Sequence, residues 1–157
     1  MLASTGDAAK AIQRLDSAKK EKIMSIDYIM IGSNDLARSR EFYDAVMPHL
    51  GGELAHEYEG FTFGYALAGG ATIWIARPHN QEPAVPGNGS MPGFGCASHA
   101  AVDAAHAAAV ANGGSSEGDP GPRPLYGPTF YGGYVRDPDG NKMSFVLAGT
   151  SPTDTAE

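Results

Sequence analysis

The sequence predicts an α+β protein built from two βαβββ modules that share one domain. Three observations carry that expectation. Strand and helix signals run in the same order twice along the chain. Each helix signal closes on a glycine pair, Gly51-Gly52 and then Gly113-Gly114. The run Asp137-Pro138-Asp139-Gly140-Asn141 sets proline and glycine where a tight hairpin turn needs them. A four-stranded module cannot bury its sheet alone, so two must pair. Pairing predicts a curved mixed sheet with a concave pocket and helices on the convex side.

Taken in order, residues 1–24 read as a flexible extension. Ile12 and Leu15 are too few apolar anchors to hold a helix there. Met24 is a second candidate start. Ile26–Ile31 has strand composition. Asn34 is expected to cap a helix whose apolar face holds Leu36, Tyr43, Val46, Met47 and Leu50. Short strands follow at Glu53–Tyr58, Phe61–Leu67 and Thr72–Arg77, with turns at Glu59-Gly60 and Ala68-Gly69-Gly70. Module one is thus 25–78, and a linker rich in Pro and Gly covers 79–90.

Module two, 91–148, opens with a strand at Phe94–Ala97. Ser98 caps a helix through Ala111. Gly118–Pro128 carries four prolines and reads as a loop. Strands Thr129–Arg136 and Lys142–Leu147 flank the Asp137–Asn141 turn. The domain ends near 150, and 151–157 read as a disordered tail.

Composition narrows the function. The 157 residues are 42% hydrophobic and 18% charged, which is globular. The formal charge is −7. The basic residues crowd the first 23 positions, so the body is more acidic still and repels phosphate backbones. Nucleic acid and membrane are not expected as partners, since no apolar run approaches the ~20 residues of a bilayer span. The one cysteine, Cys96, cannot close an intrachain disulfide and reads as a packed thiol. No secretory signal is evident, and a cytoplasmic location is expected.

The segments Ile26-Asp27-Tyr28, Asn34-Asp35-Leu36-Ala37-Arg38-Ser39-Arg40-Glu41-Phe42-Tyr43 and Tyr134-Val135-Arg136-Asp137-Pro138-Asp139-Gly140-Asn141-Lys142 resemble the vicinal oxygen chelate superfamily. That is the glyoxalase / bleomycin resistance protein / extradiol dioxygenase group. The resemblance spans residues 25–148 and implies the glyoxalase-like fold. It also implies a divalent metal, held by His and Glu, that polarises vicinal substrate oxygens. The positions matching those ligands here are Tyr28, Trp74, Met91 and Ser144. None is a His or a carboxylate, so no metal or other cofactor is expected.

The expectation is therefore a small-molecule ligand in an aromatic pocket, sequestered or transformed, with Tyr28, Trp74, Met91 and Ser144 as its lining. Arg123, Tyr126 and Tyr134 join that set. Arg123 lies on a stiff proline-flanked loop where it can clamp an anionic group, or else pair with Asp119 on the surface. The alternative is a metal-dependent lyase of lactoylglutathione lyase (glyoxalase I) type, or a related dioxygenase. His99 and His106 sit about 10.5 Å apart along one helix, too far to share a metal, and are expected to face solvent. Gly87-Asn88-Gly89 opens no helix and is not read as a phosphate loop. A homodimer is expected, with pockets lined by residues of both modules.

Overall fold

A computed structural model describes residues 26–148. The flexible extension expected at 1–24 and the disordered tail expected at 151–157 lie outside the described residues. The elements are β1 (Tyr28–Gly32), α1 (Leu36–Val46), β2 (Gly52–Tyr58), β3 (Thr62–Leu67) and β4 (Thr72–Ala76), followed by β5 (Gly93–Gly95), α2 (His99–Ala111), β6 (Ser115–Pro122), β7 (Tyr131–Arg136) and β8 (Lys142–Leu147). The α+β class and the repeated βαβββ order are as expected. Each module is a four-stranded mixed sheet, ordered β1-β4-β3-β2 in the first and β5-β8-β7-β6 in the second. In both, the first strand runs parallel to the last and the other pairs are antiparallel.

Local chemistry explains where the elements begin and end. Asp35, not Asn34, caps α1: its carboxylate accepts from the Arg38 backbone N–H at 3.1 Å. Asn34 instead holds the linker, donating to the Ala84 carbonyl and accepting from the Ala84 N–H. After Val46 the chain tightens into a 3-10 turn at Met47–Leu50, because Pro48 cannot donate to an α-helical ladder. Ser98 caps α2 as expected, accepting from the Ala101 N–H.

The stretch assigned to a loop at Gly118–Pro128 is a correction. Its first part belongs to β6, which runs through Pro120 and Pro122. The strand tolerates them because it lies on the sheet edge and breaks register on both sides of Gly118.

One core joins the modules. The helix-facing residues of both sheets, Ile73, Ile75, Val135, Met143 and Phe145 among them, are buried against Phe42, Tyr43 and Val46 of α1 and Val102, Ala105 and Ala109 of α2. The two helices also touch each other. The fit at Gly114 is close: a Cβ there would lie 2.8 Å from the Phe42 ring and 2.7 Å from the Arg136 carbonyl. The two sheets therefore enclose the helices, and each keeps its other face free of them. Among the described residues no helix is long and apolar enough to cross a membrane.

Candidate functional site

Alternation along a strand decides which side chains reach the helix-free faces. In module one, Ile29 and Ile31 point to the core while Tyr28 and Met30 point away. Register sets Met30 beside Trp74 and Tyr28 beside Thr72. On β2 the alternation is reset by a bulge between Leu54 and His56. His56 therefore lies opposite Gly64, and Tyr58 opposite Thr62. The Trp74 indole extends over Gly64, where a Cβ would come within 2.9 Å of its ring. It stacks on His56 at 5.0 Å and 20° and lies 6.3 Å from Tyr58. Tyr28, Met30 and Tyr58 stay about 60% exposed, so this is an open aromatic face.

The corresponding face of module two is polar and cationic. Register sets Tyr134 beside Ser144, and Ser144 beside Gly93. Ser144 is buried at 3% exposure, and a Cβ on Gly93 would lie 3.2 Å from its hydroxyl. The Tyr134 ring lies between two cations, the Arg123 guanidinium at 5.4 Å and the Lys142 ammonium at 6.0 Å. Arg123 is fixed by the backbone carbonyls of Asp119 (2.7 Å) and Pro122 (3.1 Å), not by the Asp119 carboxylate. That carboxylate accepts from the Ser116 hydroxyl instead. Glu117 bridges Lys142, at 2.8 Å, and Arg136, and both contacts hold its carboxyl below the ordinary range. Arg136 also donates to the Gly140 carbonyl at 2.7 Å.

Internal symmetry relates the four positions that match the family's ligands. Trp74 pairs with Met30 and Ser144 with Gly93; two residues before each partner stand Tyr28 and Met91. Tyr28 and Trp74 thus share one sheet face. Ser144 and Tyr134 share the face of the other sheet, under Arg123. Met91, 44% exposed, borders a cleft of about 530 Å³ with Arg136 and Lys142. Tyr126 stands apart, 67% exposed and edge-on to Phe130 at 5.4 Å. The donor set does not suit a His/carboxylate metal centre: among the described residues no three His, Cys, Asp or Glu side chains come together to hold an ion.

His56, Tyr58, Arg136 and Lys142 escape a reading by simple alternation. The bulge hides the first two, and the last two look like ordinary surface charges until the fold gathers them round Tyr134. His106 corrects an expectation: it is buried at 7%, its Nε2 is 3.1 Å from the Ser116 hydroxyl, and Gly133 makes room for its ring. His99 is exposed as expected, stacked on Tyr131 at 4.1 Å. Cys96 is buried, and burial raises its thiol pKa.

Comparison with known proteins agrees with this architecture. The chain is 38% identical to a glyoxalase/bleomycin resistance protein from Albidiferax ferrireducens T118, with a TM-score of 0.71 over 79% of this chain and 98% of that one. A glyoxalase/bleomycin resistance protein/dioxygenase family enzyme from Burkholderia phytofirmans PsJN shares the fold at 18% identity and a TM-score of 0.61, covering 79% and 98%. A lactoylglutathione lyase from Agrobacterium tumefaciens shares it at 21% and 0.58, covering 80% and 95%. No curated protein matches the chain. Residues 25–145, which take in module one, the linker and module two as far as the middle of β8, match the family model, and the chain belongs to the Glyoxalase/Bleomycin resistance protein/Dioxygenase superfamily.

Proposed function

We propose that this protein binds a small organic molecule against the Trp74 face without the His/Glu metal centre of the family's enzymes. The observation that carries this reading is the stack of Trp74 on His56, with Tyr28, Met30 and Tyr58 exposed around it. Aromatic faces with a polar tip suit a planar ligand, and that much exposed apolar surface on one sheet calls for a cover. Tyr28, Trp74, Met91 and Ser144 replace charged ligands with neutral groups, so binding rests on shape, stacking and hydrogen bonds. The reading includes no bound cofactor.

The pocket closes between two copies. Among the described residues the helix-free face of each sheet lacks a facing sheet, so the module-one face of one copy meets the module-two face of another. Each of two equivalent pockets is then lined by Tyr28 and Trp74 from one copy and Tyr134 and Ser144 from the other.

Trp74 is the chain's one tryptophan, so its fluorescence reports on the site directly. A neutral quencher of planar shape, 4-nitrobenzyl alcohol, is expected to quench it saturably. His56→Ala and Tyr28→Ala should weaken that binding. Linear, non-saturating quenching in the dimeric protein would remove the reading.

A further inference from the structure

The described chain holds six basic residues: Arg38, Arg40, Arg77, Arg123, Arg136 and Lys142. Arg38 pairs with Asp139, and Arg40 with Asp44 and Glu57. The last three gather on one sheet face round Tyr134. Among the described residues one carboxylate, Glu117, serves this group, and Arg123 is held by the Asp119 and Pro122 carbonyls. The cluster is thus a cationic spot on a protein of net charge −7.

Its donors are only partly used. Glu117 takes one N–H of Lys142 and the Nε–H of Arg136, and Gly140 takes one Nη1–H. A lysine ammonium has three donors and a guanidinium five, so several remain for a ligand. Both side chains are about one-third exposed and border the 530 Å³ cleft under Gly87-Asn88-Gly89. That volume lies within the range of small-molecule sites. Lys142 also borders a smaller cleft with Met30, at the rim of the aromatic face.

We propose that the ligand is an aromatic carboxylate, its acid group held by Lys142 and Arg136 in this cleft and its ring lying on the Trp74 face. The inference rests on the aromatic-pocket reading above and adds the charge of the ligand to it. A carboxylate fits the spot because it accepts several N–H bonds in one plane, and charge-assisted bonds are the strong ones.

The test compares two quenchers of one shape, 4-nitrobenzoate and neutral 4-nitrobenzyl alcohol, by Trp74 fluorescence. The acid should bind about tenfold or more tightly than the alcohol, the value of one charge-assisted bond. Lys142→Met should cut that preference below about threefold, and Lys142→Arg should restore most of it. Raising salt should weaken the acid alone. Equal affinity for both quenchers would overturn the carboxylate while the aromatic pocket stands. An acid preference that survives both Lys142→Met and Arg136→Gln would overturn the assignment to this cleft. Saturable quenching by neither would overturn both readings.

Discussion

The Asp139 carboxylate, on the turn between β7 and β8, accepts hydrogen bonds from the backbone N–H and the side-chain amide of Asn34, at 3.1 and 3.2 Å, across 105 residues of sequence. It also accepts from Ser39 and Arg38 at the start of α1. One turn further along α1 the Tyr43 hydroxyl donates to Asp137 at 2.9 Å, and the Asn141 amide donates to the Gly32 carbonyl. The Asp-Pro-Asp-Gly-Asn turn of module two is therefore the polar clasp on module one. An acid beside the first turn of a helix also suits its dipole.

Asp139→Asn should destabilise the protein by about 1–3 kcal/mol at neutral pH, because the Asn34, Arg38 and Ser39 donors lose a charged acceptor that is itself buried. Burial raises the Asp139 pKa, but the bonds from Ser33, Asn34 and Ser39 outweigh it and hold it below the ordinary range. Its contribution is therefore present above the unfolded value of about 3.9 and lost as pH falls through the lower folded value. The gap between wild type and variant should be widest near pH 7 and shrink in acid. Asp137, whose pKa is raised by burial, pulls the other way but is common to both proteins. Urea melts at several pH values measure this; a gap that does not change with pH would show that the charge at 139 is immaterial.

Gly140 in the same turn has φ +89°, and a Cβ there would meet the Pro86 ring at 3.0 Å. Gly140→Val should cost about 1–3 kcal/mol in backbone strain, with further crowding against the linker. The readout is a thermal melt, and an unchanged midpoint would contradict the observed backbone.

Gly64 gives a local test of the aromatic face. Gly64→Ala would press a methyl into the Trp74 ring at 2.9 Å and lift the indole off β3. The fluorescence maximum should move to the red and the His56 stack should loosen, with a stability change within about 1 kcal/mol, since the ring is partly exposed and free to swing. An emission spectrum identical to wild type would place the indole elsewhere.

How much of this was legible beforehand follows from the physics of each signal. The turn at 137–141, the Ser98 cap and the glycine stops of the helices are local, and they read directly from residue type. Most strands did too, because hydrophobic alternation is local. β6 was missed because prolines forbid a central strand but not an irregular edge one, and edge position is a tertiary fact. Asn34 has the chemistry of a cap but is drawn to the linker, leaving the cap to Asp35. His106 looked like surface because no local pattern announces Ser116 and Gly133 as its neighbours. Tyr28, Trp74, Met91 and Ser144 are singled out by the family resemblance alone, and the strand registers relate them by internal symmetry. Lys142 and Arg136 were invisible as a site because their meaning lies in sharing Glu117 across the sheet.

The vacated ligand positions make a prediction about metal. Tyr28→His alone should bind no zinc tightly, because Trp74, Met91 and Ser144 offer no second or third strong donor. Equilibrium dialysis with zinc checks this. A stoichiometric, chelator-resistant ion in the single variant would mean that other ligands lie close to Tyr28.

The assembly is the most consequential expectation. β1 and β2 bound the first sheet and β5 and β6 the second, so each sheet carries open edges as well as its helix-free face. Tyr28, Met30 and Tyr58 on one such face are each about 60% exposed, an unusual concentration of large apolar groups for a surface that meets only water. The module-two face offers the polar complement in Tyr134, Arg123 and Lys142. Setting one against the other twice, about a two-fold axis, satisfies both copies at once and leaves no face over, which is the usual reason for closed dimers. Light scattering should therefore give twice the 16.3 kDa chain mass. Met30→Glu sets a charge in the middle of the apolar face and should yield a folded monomer, with unchanged far-ultraviolet circular dichroism and weakened quencher binding. A wild-type monomer at micromolar concentration would contradict the dimer. A Met30→Glu protein that stays dimeric would move the contact to another surface.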